Sequence, residues 1–154
     1  EPWAVVLVHA DTKDYDHPEP AELCYSMART VCRRLEEKAV SYRFAANAAF
    51  DLLLNAALSG EEWRKPLETP QGYGPEHYRK VLEILGRATG QTALSCARFC
   101  AEYYHPQEQV GCIVVTTEPE EAVRAAVRPL PGIPLLVLTP EMAVETVQTG
   151  EAGA

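Results

Sequence analysis

The chain has no apolar run approaching the ~20 residues that cross a bilayer, and no charged-then-apolar leader opens it. The expectation is a domain that does not itself insert into a membrane. It also lacks basic excess: 14 Lys and Arg face 22 Asp and Glu, a net charge of −8. Such a surface repels phosphate backbones and anionic lipid, which excludes sequence-independent binding to nucleic acid. No CxxC pair exists. The five cysteines, Cys24, Cys32, Cys96, Cys100 and Cys112, are odd in number and sit in apolar, periodic segments. They read as buried thiols in a reducing compartment. Cys96 and Cys100, one helical turn apart, make half a metal site at most, and no second pair of zinc-like spacing completes it. No G-x-S-x-G elbow surrounds Ser26, Ser41, Ser59 or Ser95. Gly72 and Gly74 in "GYGPEHY" precede a helix start, which can bind an anion. No Lys-Ser/Thr follows them as a P-loop requires.

What is present reads as one domain of 154 residues. Residues 3–8 are continuously apolar, the pattern of a strand covered on both faces. A helix follows from Pro20, with Leu23, Cys24, Met27, Ala28, Val31, Cys32 and Leu35 at i, i+3, i+4, i+7 spacing. Residues 40–46 alternate as a strand. The stretch 48–74 is less regular: a short helix, or a loop with an edge strand near residues 65–68. Pro75 starts the next helix, with Tyr78, Val81, Leu82 and Leu85 on one face. Thr92 is placed to cap a third, carrying Ala93, Cys96, Ala97, Cys100 and Tyr104. Residues 111–116 make a buried strand. Thr117 and Glu120 form a T-x-x-E capping box for a helix over 118–128, and 133–138 is a fully apolar strand. Thr139-Pro140-Glu141 opens a last short helix, and residues 149–154 are a frayed tail.

Apolar strands alternating with amphipathic helices predict an α/β sandwich of three layers, a mostly parallel sheet with helices on both faces. Sites in such sheets form beyond the carboxyl ends of the strands. Residues 9–17, 47–51, 90–92 and 116–120 should converge there. The first of these loops, "HADTKDYDH", is the densest in chemistry: His9, Asp11, Asp14, Asp16 and His17 within nine residues. His–Asp pairs do general acid–base work, and such clusters bind transition metals. The plainer reading is a solvated loop whose Asp side chains satisfy backbone groups and cap the next helix. Asn47, at the end of the second strand, reads as a hydrogen-bonding residue that orients loops. Tyr103, Tyr104 and His105 end a helix by packing with a polar tip outward.

The words "AVVLVHADT", "ELCYSMARTVCRRLEEKAVSYRFAANAA", "GYGPEHYRKVLEILGRAT" and "CIVVTTEPEE" occur here in an order that resembles the von Willebrand factor type A (Rossmann-like) fold. Within it they resemble the bacterial branch called domain of unknown function 58, often encoded beside MoxR-type AAA+ ATPases. The resemblance runs over residues 1–148, with 49–68 poorly matched. That fold usually holds Mg²⁺ or a similar ion at a metal-ion-dependent adhesion site. Its ligands are a D-x-S-x-S at the end of the first strand, a Thr from a later loop and an Asp after a later strand, an oxygen-only set suited to hard cations. Here the first motif reads His9-x-Asp11-x-Lys13, or Asp11-x-Lys13-x-Tyr15. Neither frame supplies the two hydroxyls, and Lys13 puts a positive charge near the cation position. "ATGQT" places Thr92 at the Thr position, and Thr117 stands where the Asp belongs.

The resemblance therefore implies a degenerate adhesion site with no bound metal or other cofactor, in a non-catalytic interaction domain. Its binding surface is drawn from His9, Asp11, Lys13, Asp14, Asn47, Thr92 and Thr117. Its partner is a protein, by analogy a MoxR-type AAA+ ATPase system. The chain starts directly in a strand-like run, as an excised domain would. A cytoplasmic domain, tethered to the membrane through a segment outside this chain, is the expected setting. The alternative is a metal-dependent hydrolase using His9 and Asp11. A redox module built on Cys96 and Cys100 is a third reading.

Overall fold

Seven residues, Trp3–His9, form β1, and the last five are buried. A strand sealed on both faces has to be the middle of a covered sheet. It is: the computed structural model pairs β1 in parallel with β2 (Ser41–Ala46) on one side and with β4 (Gly111–Thr116) on the other. The structure describes residues 3–48, 66–88, 90–104, 111–127, 132 and 134–142. Within them, β3 (Leu67–Glu68) runs antiparallel to β2, and β5 (Leu135–Leu138) runs parallel to β4. The sheet order is β3-β2-β1-β4-β5.

Odd and even residues of β1 face opposite layers. Val6 and Val8 pack with Tyr42 and Phe44 beneath α1 (Glu19–Glu37) and α2 (Pro75–Arg87), whose Cys24, Ala28, Cys32 and Val81 complete that core. Val5 and Leu7 pack with Val114 and Val137 beneath α3 (Cys96–Tyr103) and α4 (Glu120–Ala126), which contribute Phe99, Cys100 and Val123. The result is a three-layer α/β arrangement with helices on both faces, as the alternating pattern predicts.

Several local expectations are corrected. The strand expected over 133–138 is described from Leu135, and it is not sealed: Leu136 is 50% exposed. Among the described residues β5 has a strand neighbour on one side only. Leu82 is likewise 38% exposed. The inward face of α2 is set by His77, Tyr78, Val81, Ile84 and Leu85 instead. Thr92 does not cap α3; the Ser95 hydroxyl does, accepting from the Arg98 N–H at 3.2 Å. Ala97 is exposed and Ala93 precedes that helix. The capping box also fails, because α4 begins after Pro119 without a side-chain cap. No Asp of the first loop caps α1: Pro18 stands at its N-cap, and Asp14 accepts from the Asp16 N–H at 3.0 Å in a local turn. Pro140–Met142 are helical as expected. The irregular stretch 49–65, His105, residue 133 and the tail 149–154 lie outside the described residues.

The turn from α1 into β2 aims the sheet edge. Val40 donates to the Leu35 carbonyl at 2.9 Å and Ala39 to that of Glu36 at 3.1 Å, a Schellman closure. It puts Ala39 at φ 55. A Cβ is disfavoured in that left-handed region. Ala39→Gly is therefore expected to stabilise the fold, by about 0.5–1 kcal/mol, read as a raised urea midpoint at constant slope.

Candidate functional site at the carboxyl edge of the sheet

β1 runs through α1 to β2 on one side, while β4 lies on the other, so the chain changes direction between β1 and β4. This is the switch point where open α/β sheets form their crevices. The groups that meet there come from His9 and the loop after it, from Asn47 after β2, from residues 90–94 and from residues 116–118. All four segments expected at this edge supply contacts, within their described residues.

Asn47 is the centre. Its backbone N–H extends the ladder to the Val8 carbonyl at 2.8 Å. Its side-chain oxygen accepts from the Ala93 and Leu94 N–H groups, each at 3.0 Å. Its Nδ2 donates to the Leu94 carbonyl and lies 2.7 Å from His9 Nδ1. Two backbone donors and one backbone acceptor leave the amide a single consistent orientation. Nδ2 must then donate to His9, so Nδ1 is an acceptor and the ring proton sits on Nε2. Nε2 lies 3.8 Å from the Glu118 carboxylate.

His9 is 2% exposed. Burial holds its pKa below the ordinary 6.5, against the raising influence of Glu118 and Asp11 and with a smaller lowering one from Lys13. Protonating Nδ1 would set an N–H against the Asn47 amide hydrogens. Neither nitrogen offers a free lone pair to a metal or a substrate proton while Asn47 keeps its contacts. The arrangement suits a neutral imidazole.

The remaining contacts stitch the loops together. The Asp11 N–H donates to the Thr117 hydroxyl at 3.0 Å, and the Thr117 N–H to the His9 carbonyl at 3.1 Å. The Thr12 N–H donates to the Gly90 carbonyl at 2.6 Å, and the Gly90 N–H to the Tyr25 hydroxyl at 2.9 Å. Gly90 has φ +78, and any side chain there would collide with the Thr12 hydroxyl. The Lys13 ammonium lies 3.2 Å from both oxygens of Glu118.

Of the residues expected at this site, His9 touches Asn47, Asp11 is joined to Thr117, and Lys13 is drawn to the site by Glu118. Asp14 points away into its own exposed turn. Thr92 is half-buried, and its neighbours Gly90, Ala93 and Leu94 make the contacts instead. Sequence reasoning missed Glu118 as a partner of His9 and Lys13. The signal was present: an acidic residue just beyond one strand end, and a lysine just beyond another. Among the described residues, no three His, Cys, Asp or Glu side chains converge on a point that would hold a metal ion.

The second place considered, the helix start after Gly74, already carries an anion. Glu36 accepts from the Gly74 N–H at 2.7 Å and from the Tyr42 hydroxyl at 2.9 Å. A phosphate would meet that carboxylate first. A scan of protein-family models finds no match to this chain, and neither do comparisons with curated proteins and with solved structures.

Asn47→Ala would strand two backbone donors and the His9 ring, at a cost of at least ~2 kcal/mol, measurable by urea denaturation. Burial also lowers the pKa of His77. Because His9 and His77 bind protons more weakly folded than unfolded, the stability they contribute is whole above pH 6.5. It is lost as the pH falls through their folded values. An NMR titration of the ring protons should put both midpoints below 6.5.

Proposed function

We propose that this chain is a non-catalytic protein-interaction domain. In this reading it is von Willebrand factor A-like, of the domain of unknown function 58 type, with a degenerate adhesion site. It works with a MoxR-type AAA+ ATPase as part of a larger, membrane-associated bacterial protein. The mostly parallel sheet with helices on both faces is the architecture this reading requires. The observation that carries it is the ion pair of Lys13 with Glu118 beside His9. The Lys13 ammonium, paired with Glu118, lies by the strand end where an adhesion-type site would seat its cation, and neutral hydrogen bonds hold the loops that a cation would gather. Membrane association in this reading belongs to a segment outside this chain, since no helix among the described residues is long and apolar enough to cross a membrane.

The outer rim of the same edge supplies the docking surface. Tyr15 is 76% exposed between Asp14 and Asp16, both also exposed. An exposed aromatic flanked by charges is the residue type that anchors protein interfaces. The metal-dependent hydrolase alternative needs a free lone pair on His9. The Asn47 contact withholds it.

Two measurements test the reading. Thermal melts with chelator and then with Mg²⁺, Ca²⁺, Mn²⁺ or Zn²⁺ should coincide. A ligand of the folded state alone at a hundred times its Kd adds about 2.7 kcal/mol, so a divalent-dependent rise would restore a functional metal site. Calorimetric titration against a purified MoxR-type ATPase should show binding that Tyr15→Ala and Asp14→Lys weaken by about tenfold or more. Absence of binding by the wild-type chain would remove the assigned partner.

A further inference from the structure

The edge of β2 that faces away from β1 has a cover of its own, residues 67–74. The Thr69 N–H donates to the Phe44 carbonyl at 2.8 Å, and the Thr69 hydroxyl accepts from the Phe44 N–H at 3.1 Å. Gly72 and Tyr42 exchange two backbone hydrogen bonds, at 2.9 and 3.0 Å. The Gly74 N–H reaches the Glu36 carboxylate at 2.7 Å. No residue of 67–74 belongs to either apolar core. A segment tied down by hydrogen bonds at a sheet edge, without buried apolar anchors, opens more readily than the strands of the core.

The first turn of α2 sets His77 against both sides of that seam. Its ring packs edge-on against Tyr42, with centroids 4.5 Å apart at 81°. A Cβ on Gly72 would lie 3.3 Å from its Nδ1. His77 is 8% exposed, and its Nε2 is sealed with no hydrogen-bond partner among the described residues. In a charged imidazole both nitrogens carry hydrogen. Nε2 would then hold a buried N–H with no acceptor, and the charge would sit at the positive end of α2.

We propose that His77 is an acid-sensitive latch: charging its ring releases residues 67–74 from β2 and opens that edge of the sheet. The groups that face the ring do not cancel the effect. Burial, the largest influence, holds its pKa below 6.5, with help from Lys80 on α2 and against Glu36 on α1 and the Tyr42 carbonyl of β2. The Tyr42 phenol and the Cys32 thiol beside it are both pushed up by burial and stay neutral. Glu36 also ties down Gly74 and the Tyr42 hydroxyl, so swinging it toward a charged ring would loosen the cover as well. Once the cover opens, the ring meets water and binds its proton with ordinary affinity. Opening is therefore favoured as the pH falls below 6.5, by up to about tenfold for each pH unit. It frees the N–H and C=O groups of Tyr42 and Phe44, which then form an open strand edge. This assignment does not depend on the partner-binding reading.

The test is amide hydrogen exchange on the folded chain from about pH 7 down to about pH 5, corrected for the intrinsic rate at each pH. The amides of Tyr42, Phe44, Thr69 and Gly72 should lose protection by up to about tenfold per pH unit, while those of Val6 in β1 and Val114 in β4 keep theirs. The loss should level off near the pH at which NMR shows the His77 ring itself to titrate. His77→Phe keeps a ring in the same place and gives up no Nε2 hydrogen bond; its protection at the four amides should not change with pH. The wild-type comparison decides the case even if that variant is unstable. Unchanged protection at the four amides in the wild type would overturn the assignment. So would a loss shared equally with β1 and β4, which is acid unfolding of the whole domain, or the same loss in His77→Phe, which would make Glu36 the trigger.

Discussion

The side-chain amide of Asn47 ties the carboxyl edge of the sheet together. It is buried, so every donor and acceptor on it has to be met inside the protein. Meeting them takes the ring of His9 from β1 and three backbone groups of Ala93 and Leu94. Those contacts set where the loop before α3 can run. They therefore set where Ser95 caps that helix. The tautomer of His9 follows from the same amide, and with it the role of Nδ1 as an acceptor.

The edge also holds an ion pair, Lys13 with Glu118, of very different weight. Lys13 is largely in solvent, and partly exposed pairs are worth at most about 1 kcal/mol. The pair tunes the local field more than it holds the loops. A cation site gathers its loops by charge and loosens when the ion leaves. Here neutral hydrogen bonds do the gathering: Asn47 to Leu94, Asp11 to Thr117 and Thr12 to Gly90.

The sequence was read well where burial alone sets the pattern. β1 and β4 are sealed on both faces, and a sealed strand has to be apolar throughout; residues 3–8 and 111–116 say so directly. The amphipathic spacing of α1 is as plain. Reading failed where a group has more than one possible partner. The helix expected to be capped by Thr117 starts later, after Pro119, and the Thr117 hydroxyl accepts from the Asp11 N–H instead. Ser95 displaced Thr92 as a cap because Asn47 pulls the preceding residues inward. Leu82 and Leu136 are apolar residues on open faces, a common placement that carries no signature in composition.

Length, charge and hydrophobic period thus determined the layers, the presence of helices on both faces and the loops that would meet, because those depend only on which residues must leave water. They also marked His9 and Asn47 as the polar residues set at strand ends. The tertiary structure alone decided how those residues are used. Hydrogen bonds are short and directional, and a polar side chain takes whichever partner the packed elements bring within about 3 Å. Sequence separation does not disclose that His9 meets Asn47 or that Lys13 meets Glu118 across 105 positions.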